Sequence, residues 1–180
     1  MIKKESNRLH GLVQSILDLA RLEREGDVLN RADTDLGELV RETVESLKPQ
    51  AELKGVRLVC ETTATRTVRV DAQLLAQALA NLVVNAIRYS GAKEVVVSLR
   101  EAGGRVQVAV EDHVVGIPAE HRARIFERFY RGDASRTAET GGAGLGLAIV
   151  RQIVRLHGGD VTFEPVEPTG ARFVIALQAD

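Results

Sequence analysis

Apolar residues recur at intervals of three and four in four stretches of the chain, which is the spacing of one helical face. The pattern predicts helices over residues 3–25, 36–53, 72–89 and 145–157. The third helix is the most regular, and Asp71 is placed to cap its N-terminus. Gly26 and Gly158 mark the ends of the first and last helices, and a shorter helix is predicted near 119–128.

The first predicted helix carries a narrow apolar stripe rather than a broad face. Its positions alternate by three and four residues and are Leu9, Leu12, Ile16 and Leu19. Such a stripe is typical of a coiled-coil seam, and a helix of this length is marginal alone in water. We therefore expect residues 1–26 to pack against a partner helix or a second subunit, and residues 33–180 to form a separate domain.

Alternation of apolar and polar residues predicts the strands. They cover Val56–Glu61, Thr67–Val70, Glu94–Arg100, Arg105–Asp112, Asp160–Glu164 and Ala171–Leu177. The third and fourth form a hairpin around Gly103-Gly104, and a polar link is expected from the first helix to Asp35. These elements predict an α/β fold, a two-layer sandwich of one mixed sheet with helices on one face, preceded by the coiled-coil-like helix.

Composition narrows the functional classes. Apolar residues make up 44% of the 180 residues and aromatic residues only 3%, so the core must be aliphatic. The net charge of −1 gives no general attraction to nucleic acid, which is not expected as a partner. Cys60 is the only cysteine and excludes an internal disulfide. No apolar run has membrane-spanning length and no signal peptide opens the chain, so a cytosolic location is expected.

A glycine-rich run, Gly141 to Gly146, directly precedes the last predicted helix. Glycine permits positive φ and lets a ligand approach the bare backbone. The first N–H groups of the following helix lack intrahelical partners and favour an anion. The run is either a phosphate-binding turn or an ordinary loop before a core helix. It is not a P-loop, because no Lys-Ser/Thr follows the last glycine.

Asn81, Asn85 and Arg88 lie at i, i+4 and i+7 on a polar face of the predicted helix 72–89. A solvated face usually carries Lys, Glu or Arg, which favour helix more than asparagine does. Amide oxygens suit a hard cation, and the arginine suits an anion. With the glycine run, this face indicates a polyphosphate carrying Mg²⁺; a simply solvated face is the alternative.

Asp112 ends the predicted strand 105–112 on the same side as its inward-facing valines. A carboxylate aimed inward is costly unless another group donates hydrogen bonds to it. The amino group of a purine ring would do so, whereas a cap for the turn at Gly116-Ile117-Pro118 is the alternative explanation.

Residues 130–142 show no clear periodicity and lie among several arginines, directly before the glycine turn. This pattern predicts a mobile basic loop, with Arg131 near its start, that closes over phosphates. A solvated loop with incidental arginines is the alternative.

Four blocks resemble the motifs of the sensor histidine kinases, in that family's order and spacing. The segment from Asn81 to Ser90 resembles the N box, and the segment from Asp112 to Pro118 resembles the first glycine box. The segment from Ile125 to Arg131 is similar to the F box, and that from Gly142 to Val150 to the second glycine box. The resemblance spans about residues 33–178 and implies a Bergerat ATP-binding fold. The first helix is similar to the second helix of the family's dimerisation and phosphoacceptor domain.

The resemblance also implies a role for each matching residue. Asn85 would be the Mg²⁺ ligand with Asn81 beside it, and Asp112 would accept a hydrogen bond from the adenine amino group. Arg131 would reach the phosphates, and Phe129 would help to anchor the lid. The rest of the implied nucleotide-binding set lies near the base, the phosphates or the lid and comprises Arg88, Tyr89, Gly116, Ile117, Phe126, Gly142, Gly144, Leu145 and Gly146. Of all these residues, the predicted catalytic ones are Asn81, Arg88 and Arg131.

Two departures from related patterns sharpen these expectations. ATPases that share this fold place Glu where Asn81 stands, as the base that activates water, and an amide has no basic lone pair near neutral pH. Asn81 therefore argues against attack by water. Val114 replaces the first glycine of the family's Asp-x-Gly-x-Gly pattern, and a β-branched residue does not take positive φ cheaply. Either nucleotide affinity falls, or the turn is reshaped and Val114 adds apolar contact.

The family's nucleophile is a histidine followed by an acidic residue and an Arg-Thr-Pro-like run, which this chain lacks. We expect the phosphoacceptor histidine upstream of Met1, so that this chain alone does not phosphorylate itself. The predicted function is an ATP- and Mg²⁺-dependent kinase domain that transfers the γ-phosphoryl group to that histidine and serves a response regulator. The parent protein is expected to be a membrane-anchored homodimer. The alternatives are a degenerate module acting by regulated protein–protein contact and a water-hydrolysing ATPase.

Overall fold

The structure, a computed structural model, describes residues 2–24, 29–62, 66–89, 91–114, 116–131 and 144–179. The helices are α1 Ile2–Arg24, α2 Leu36–Glu52, α3 Ala72–Tyr89, α4 Ala119–Arg122 and α5 Gly146–Leu156. The strands are β1 Ala32–Asp35, β2 Arg57–Thr62, β3 Thr67–Val70, β4 Glu94–Ala102, β5 Arg105–Asp112, β6 Asp160–Pro165 and β7 Ala171–Gln178. None of the helices in these ranges is both long and apolar enough to cross a membrane.

A mixed five-stranded sheet forms one layer, in the order β2-β4-β5-β7-β6. β2 pairs with β4 in parallel, and the other neighbours are antiparallel. β1 and β3 form a separate antiparallel ribbon in which Ala32 lies opposite Val70. The predicted α/β fold with a mixed sheet, preceded by a helix, is confirmed.

Two glycines form the turn of the β4–β5 hairpin. Gly103 has a φ of 59° and Gly104 a φ of 72°, and left-handed conformation at both central residues suits the twist of the flanking strands. Ala102 consequently pairs with Arg105, and the register continues to Val96 opposite Glu111. Alternation along β5 then places Asp112, the last residue of the strand, on the same side of the sheet as Val110.

Helices α2, α3 and α5 cover one face of the sheet, as predicted. The core between the layers is aliphatic and includes Leu75, Leu79, Leu82, Val95, Val97, Leu99, Val106, Val108, Val110, Ile149, Val150 and Ile153. Burying one such side chain contributes about 1.5–3 kcal/mol relative to leaving it exposed. On the opposite face Arg172 lies 3.6 Å from Glu111 and 3.8 Å from Glu164, so these three charged side chains lie away from the core.

The C-terminal half of α1 packs on the rest of the chain. Leu19 and Leu22 are buried in the common core cluster beside α5, and Glu23 forms an ion pair with Arg128. Leu9, nearer the N-terminus, is 59% exposed. The predicted apolar stripe therefore has a buried part and an exposed part. Leu19 packs within this chain, whereas the side chain of Leu9 lies on the surface.

The expected polar link up to Asp35 is wrong over its last four residues, which form strand β1. The sequence Ala-Asp-Thr-Asp has no apolar alternation, so its extended form depends on pairing with β3, which lies more than thirty residues away. The predicted end of the first helix at Gly26 lies outside the described residues, as do all of 25–28.

The predicted helix over 119–128 is wrong beyond Arg122. Only Ala119–Arg122 is α-helical, and the chain then continues in turns. Arg124 N–H donates to His121 O and Glu127 N–H to Arg124 O, both at 2.9 Å, which is the i→i+3 pattern of tight turns. The segment ends at Phe129, which has a φ of 59°, a conformation that a continuing helix does not allow.

Candidate functional site

Helices α3 and α5 bring two of the predicted motifs together. A Cβ added to Gly146, the first residue of α5, would lie 3.8 Å from both Oδ1 and Nδ2 of Asn85 on α3. Asn81 lies one turn earlier on α3, and both asparagines are half-buried. Such a Cβ would be in ordinary van der Waals contact with the amide of Asn85, which therefore lies close to the N-terminus of α5.

Within the part of the chain that the structure describes, no side chain caps the N-terminus of α5. Its cap residue is Leu145, which is buried and has no side-chain acceptor. By contrast, Asp35 accepts the N–H of Gly37 at the start of α2, and Asp71 accepts the N–H of Leu74 in the first turn of α3. Uncapped N–H groups and the helix dipole favour an anion at this point. An amide oxygen beside them suits a phosphate that carries a hard cation.

Asp112 lies at the end of β5 and is only 4% exposed, on the core side as predicted. The N–H of Val114 donates to its Oδ1 atom at 3.3 Å. Burial raises the pKa of the Asp112 carboxyl, and the hydrogen bond from Val114 partly opposes that rise. Among the described residues of this loop, the carboxylate accepts the N–H of Val114 and no N–H of the turn at 116–118. A carboxylate has acceptor capacity for more than this one donor.

Gly170, which no sequence motif indicated, allows the end of β5 and the following loop to pack closely. Its φ is 154°, and a Cβ there would overlap the carbonyl oxygen of Asp112. A Cβ on Gly116 would in turn lie 3.0 Å from the carbonyl oxygen of Gly170. The pairing of β5 with β7, which sets Asp112 opposite Ala171, is the signal that would have drawn attention to this glycine.

Val114 does not take the positive φ that a glycine at its position permits. Among the described non-glycine residues, only Phe129 has a positive φ. The side chain of Val114 is 44% exposed, and its N–H is held by Asp112. Whether Val114 lowers nucleotide affinity or adds apolar contact to the nucleotide stays a prediction.

Gly144 packs against the segment that resembles the F box. It has a φ of 71°, and a Cβ there would lie 2.9 Å from Phe129 C and from Tyr130 O. The N–H of Phe129 donates to Gly144 O at 2.9 Å. The side chain of Phe129 is 59% exposed, and the contact described between Phe129 and Gly144 is made by backbone. The lid that Phe129 is expected to anchor lies mostly outside the described residues, so that role stays a prediction.

Phe126, unlike Phe129, is half-buried against the core. Its ring meets that of Phe173 edge-to-face, with 6.2 Å between centroids, and the guanidinium of Arg151 lies 6.0 Å from its centroid. Tyr130 is held separately, because its hydroxyl lies 2.7 Å from His121 Nδ1. The His121–Tyr130 contact leaves no periodic signal in the sequence and was not predicted.

The remaining predicted residues lie around these contacts or outside the described ranges. Arg88 and Tyr89 are exposed at the C-terminal end of α3, and the guanidinium of Arg88 lies 6.0 Å from the Tyr89 ring. Ile117 is half-buried, and its carbonyl accepts Arg122 Nε–H at 2.8 Å. Arg131 is exposed. Gly142 falls outside the described residues.

Replacing Gly144 by alanine is expected to lower the free energy of unfolding by about 2–3 kcal/mol, since a left-handed residue and a backbone clash both add cost. Gly55→Ala is the matched control, because Gly55 has a φ of 68° and a Cβ added there would meet none of the described atoms within 4 Å. The free energy of unfolding of Gly55→Ala should fall by only about 1 kcal/mol. Urea unfolding measures both, and equal losses would contradict the packing of Gly144 on Phe129–Tyr130.

Residues 70–180 match the family model described as histidine kinase-, DNA gyrase B-, and HSP90-like ATPase. The match covers more than half of the chain. The chain belongs to this ATPase family. The matched region of this ATPase-family chain contains all four motif blocks, so the family resemblance found in the sequence is confirmed.

The relatives of this ATPase-family chain include sensor histidine kinases. SenX3, a sensor-like histidine kinase of Mycobacterium tuberculosis, is 38% identical over 97% of this chain and 43% of SenX3. ShkA, solved at full length in complex with AMPPNP, has a TM-score of 0.83 and 33% identity, covering 96% of this chain and 36% of ShkA. ThkA, solved in complex with the response regulator protein TrrA, has a TM-score of 0.78 and 28% identity, covering 99% of this chain and 49% of ThkA. The chain thus spans less than half the length of each.

Proposed function

We propose that this chain is the ATP-binding kinase domain of a two-component sensor histidine kinase. It binds ATP with Mg²⁺ and presents the γ-phosphoryl group to a histidine that lies outside the chain. The observation that carries the proposal is the position of the Asn85 amide beside Gly146, at the uncapped N-terminus of α5. A protein that binds a triphosphate with a hard cation needs an oxygen ligand for the cation close to a group that attracts the phosphate anion. Family membership and the AMPPNP complex of ShkA support the choice of ATP.

In this proposal the adenine lies at the end of β5 and its amino group donates to Asp112. One carboxylate oxygen already accepts the N–H of Val114, which leaves the other for the ring. Gly116 offers bare backbone to the ring, while Ile117 and Tyr89 add apolar and aromatic surface nearby. The buried carboxylate is a stability cost that a donor on the ligand would offset.

The phosphates would lie between α3 and the start of α5. Asn85 would hold Mg²⁺ through its amide oxygen, and the bound ion would neutralise charge on the phosphate oxygens. Arg88 and Arg131 supply cationic groups toward the same charge. The backbone turn that surrounds the phosphates would be formed by Gly142, Gly144, Leu145 and Gly146, with Phe126 anchoring the segment before it.

The same site favours phosphoryl transfer over hydrolysis. Asn81 lies one turn before Asn85. Hydrolysis would need a basic side chain at position 81 to take a proton from water, and the amide of Asn81 is not basic enough to do so. Catalysis would therefore rest on positioning the γ-phosphoryl group and stabilising its charge while another group attacks.

The attacking group would be a histidine of the domain to which α1 belongs. We propose residues 1–26 as the C-terminal helix of that dimerisation and phosphoacceptor domain, and 33–180 as the ATP-binding domain. The histidines of this chain have other surroundings. His10 is an exposed residue of α1 followed by glycine, His113 pairs with Glu111, His121 contacts Tyr130, and His157 is buried.

The exposed part of the α1 stripe would pack on a further helix or a second subunit, which makes the parent protein a homodimer. The phosphohistidine would then serve a response regulator, as the complex of ThkA with TrrA supports. We place the domain on the cytoplasmic side of a membrane-anchored sensor.

Release of phosphate from ATP tests the choice between transfer and hydrolysis. The chain is expected to bind ATP yet release phosphate at nearly the rate of ATP alone, because Asn81 supplies no base. A coupled phosphate assay measures this rate. Steady turnover of about one per second or faster, which is ordinary for enzymes, would contradict the proposal.

Asn85→Ala is expected to remove the gain in ATP affinity that Mg²⁺ provides, a loss of about tenfold or more in the presence of the ion. Affinity without Mg²⁺ should change little, because the N-terminus of α5 is intact. Calorimetric titration with AMPPNP, with and without Mg²⁺, measures both. Asn85→Asp is the matched control, since it keeps an oxygen ligand and should retain the Mg²⁺ effect. Equal losses with and without the ion would contradict the role of Asn85.

A further inference from the structure

Helices α3 and α5 run antiparallel and meet at both ends. At one end Asn85 lies beside Gly146. At the other end Asp71, which precedes α3, lies beside His157, which follows α5. The buried side chains between these ends belong to one core cluster. The two helices therefore form one packed unit with the proposed phosphate site at one end only.

The ring of His157 links the two helices at the end remote from that site. Its Nε2 atom accepts the backbone N–H of Asp71 at 3.0 Å, and its Nδ1 atom lies 2.8 Å from Ile153 O. A backbone N–H can only donate and a carbonyl can only accept, so the ring is the neutral tautomer with its proton on Nδ1. Burial, with a smaller contribution from Arg31, lowers the pKa of His157 and is consistent with that neutral form.

The segment before β1 joins the same junction. The N–H of Asn30 donates to Asp71 Oδ2 at 3.1 Å, and Arg31 donates to Leu156 O at 2.9 Å. Asp71 also caps α3 through Oδ1. Besides their apolar contact, the two helix ends are thus held by His157 directly and by Asn30 and Arg31 from the connecting segment.

A helix is stiff along its axis, so a shift at one end is passed to the other. At about 1.5 Å per residue, Asp71 and Asn85 lie about 21 Å apart along α3, and Gly146 and His157 about 16 Å apart along α5. If α5 slides along α3, its N-terminus moves past Asn85 by the same distance. A displacement of about 1 Å matters for reacting groups that must be aligned.

We propose that His157 is a positioning residue for the phosphate site: through its bond to Asp71 it holds α5 in the register on α3 that sets Asn85 against the N-terminus of α5. The inference rests on the proposed function, because the register of α5 on α3 is taken to matter for binding the phosphates of ATP. It assigns no role to His157 in binding adenine, which would be recognised at the end of β5.

Two polar substitutions isolate the bond between the helices. In His157→Gln the longer amide reaches the N–H of Asp71, whereas in His157→Asn the shorter amide reaches only Ile153 O within α5. Both variants and the unaltered chain are titrated by calorimetry with Mg²⁺–AMPPNP and, separately, with adenosine. The titrations are made at a temperature where thermal melts show every protein fully folded, and His157→Phe replaces His157→Asn if the latter does not fold.

His157→Asn is expected to weaken Mg²⁺–AMPPNP binding about fivefold and to leave adenosine binding within about twofold, while His157→Gln keeps both affinities near those of the unaltered chain. Unchanged affinities in His157→Asn, or an equal loss for both ligands, would overturn the positioning role and leave the proposed function intact. Failure of the unaltered chain to bind Mg²⁺–AMPPNP would overturn the proposed function and this inference together.

Discussion

Asp112→Asn is expected to weaken ATP binding by about 100-fold or more, since a site built around a hydrogen bond rejects a mismatched partner strongly. The N–H of Val114 engages one side-chain oxygen of Asp112. In the variant the amide oxygen would keep this bond and turn the amide N–H₂ toward the adenine amino group, so that two donors face each other. Calorimetric titration with AMPPNP measures the loss.

The same substitution should not destabilise the unliganded protein. Because burial raises the pKa of Asp112, the native state holds its proton more tightly than the unfolded chain does. The free energy of unfolding therefore falls as pH rises from the ordinary carboxyl pKa of 3.8 through the raised native value. The neutral amide of Asp112→Asn avoids the free-energy cost of a buried, ionised carboxylate. The thermal midpoint of this variant at pH 7 should therefore be equal to or higher than that of the unaltered chain.

Glu111→Gln is the matched control, because Glu111 is the preceding residue of β5 and lies on the opposite face, beside Arg172 and His113. It removes one carboxylate from the same strand and should leave AMPPNP affinity within about twofold. Equal losses of affinity in the two variants, or a large drop in the thermal midpoint of Asp112→Asn, would contradict the assignment of Asp112 to the adenine.

Asn81→Glu is expected to raise ATP hydrolysis by about 100-fold, at the low end of what a positioned general base contributes. Asn81 is half-buried on α3, one turn before Asn85, so a carboxylate there would stand next to the proposed phosphate site. Phosphate release at saturating ATP is the measurement. Asn81→Gln, which has the same length without a base, should remain near the background rate. If the two variants hydrolyse ATP equally, Asn81 does not decide between transfer and hydrolysis.

Local sequence was sufficient for the elements whose signals are strong. The predicted helix over 72–89 coincides with α3, since its apolar period and the cap at Asp71 agree. The hairpin follows from Gly103-Gly104, and the burial of Asp112 from the parity of β5. In each case the deciding interactions lie within one element or between two adjacent ones.

The features that were missed depend on contacts between distant segments. β1 is polar and is extended because it pairs with β3. Gly170 is required by the backbone of Asp112, which is nearly sixty residues away in sequence. The helix predicted over 119–128 stops early because the chain changes to tight turns and then to the positive φ of Phe129. None of these contacts leaves a periodic pattern.

Motif spacing in the sequence predicts a set of residues for the candidate site but not the geometry of that site. Motif spacing placed Asn85 and the glycine run in one site, and the structure sets the Asn85 amide beside Gly146. Nothing in the sequence indicated that His157 would join the far ends of the same two helices. The roles of these residues toward ATP stay predictions.

The most direct test of the proposed ATP site is a calorimetric titration of this chain with AMPPNP, in the presence and absence of Mg²⁺. We expect binding of one nucleotide per chain with a dissociation constant of about micromolar order, tightened by Mg²⁺. Absence of binding under both conditions would contradict the claim that Asn85, Asp112 and the start of α5 form an ATP site.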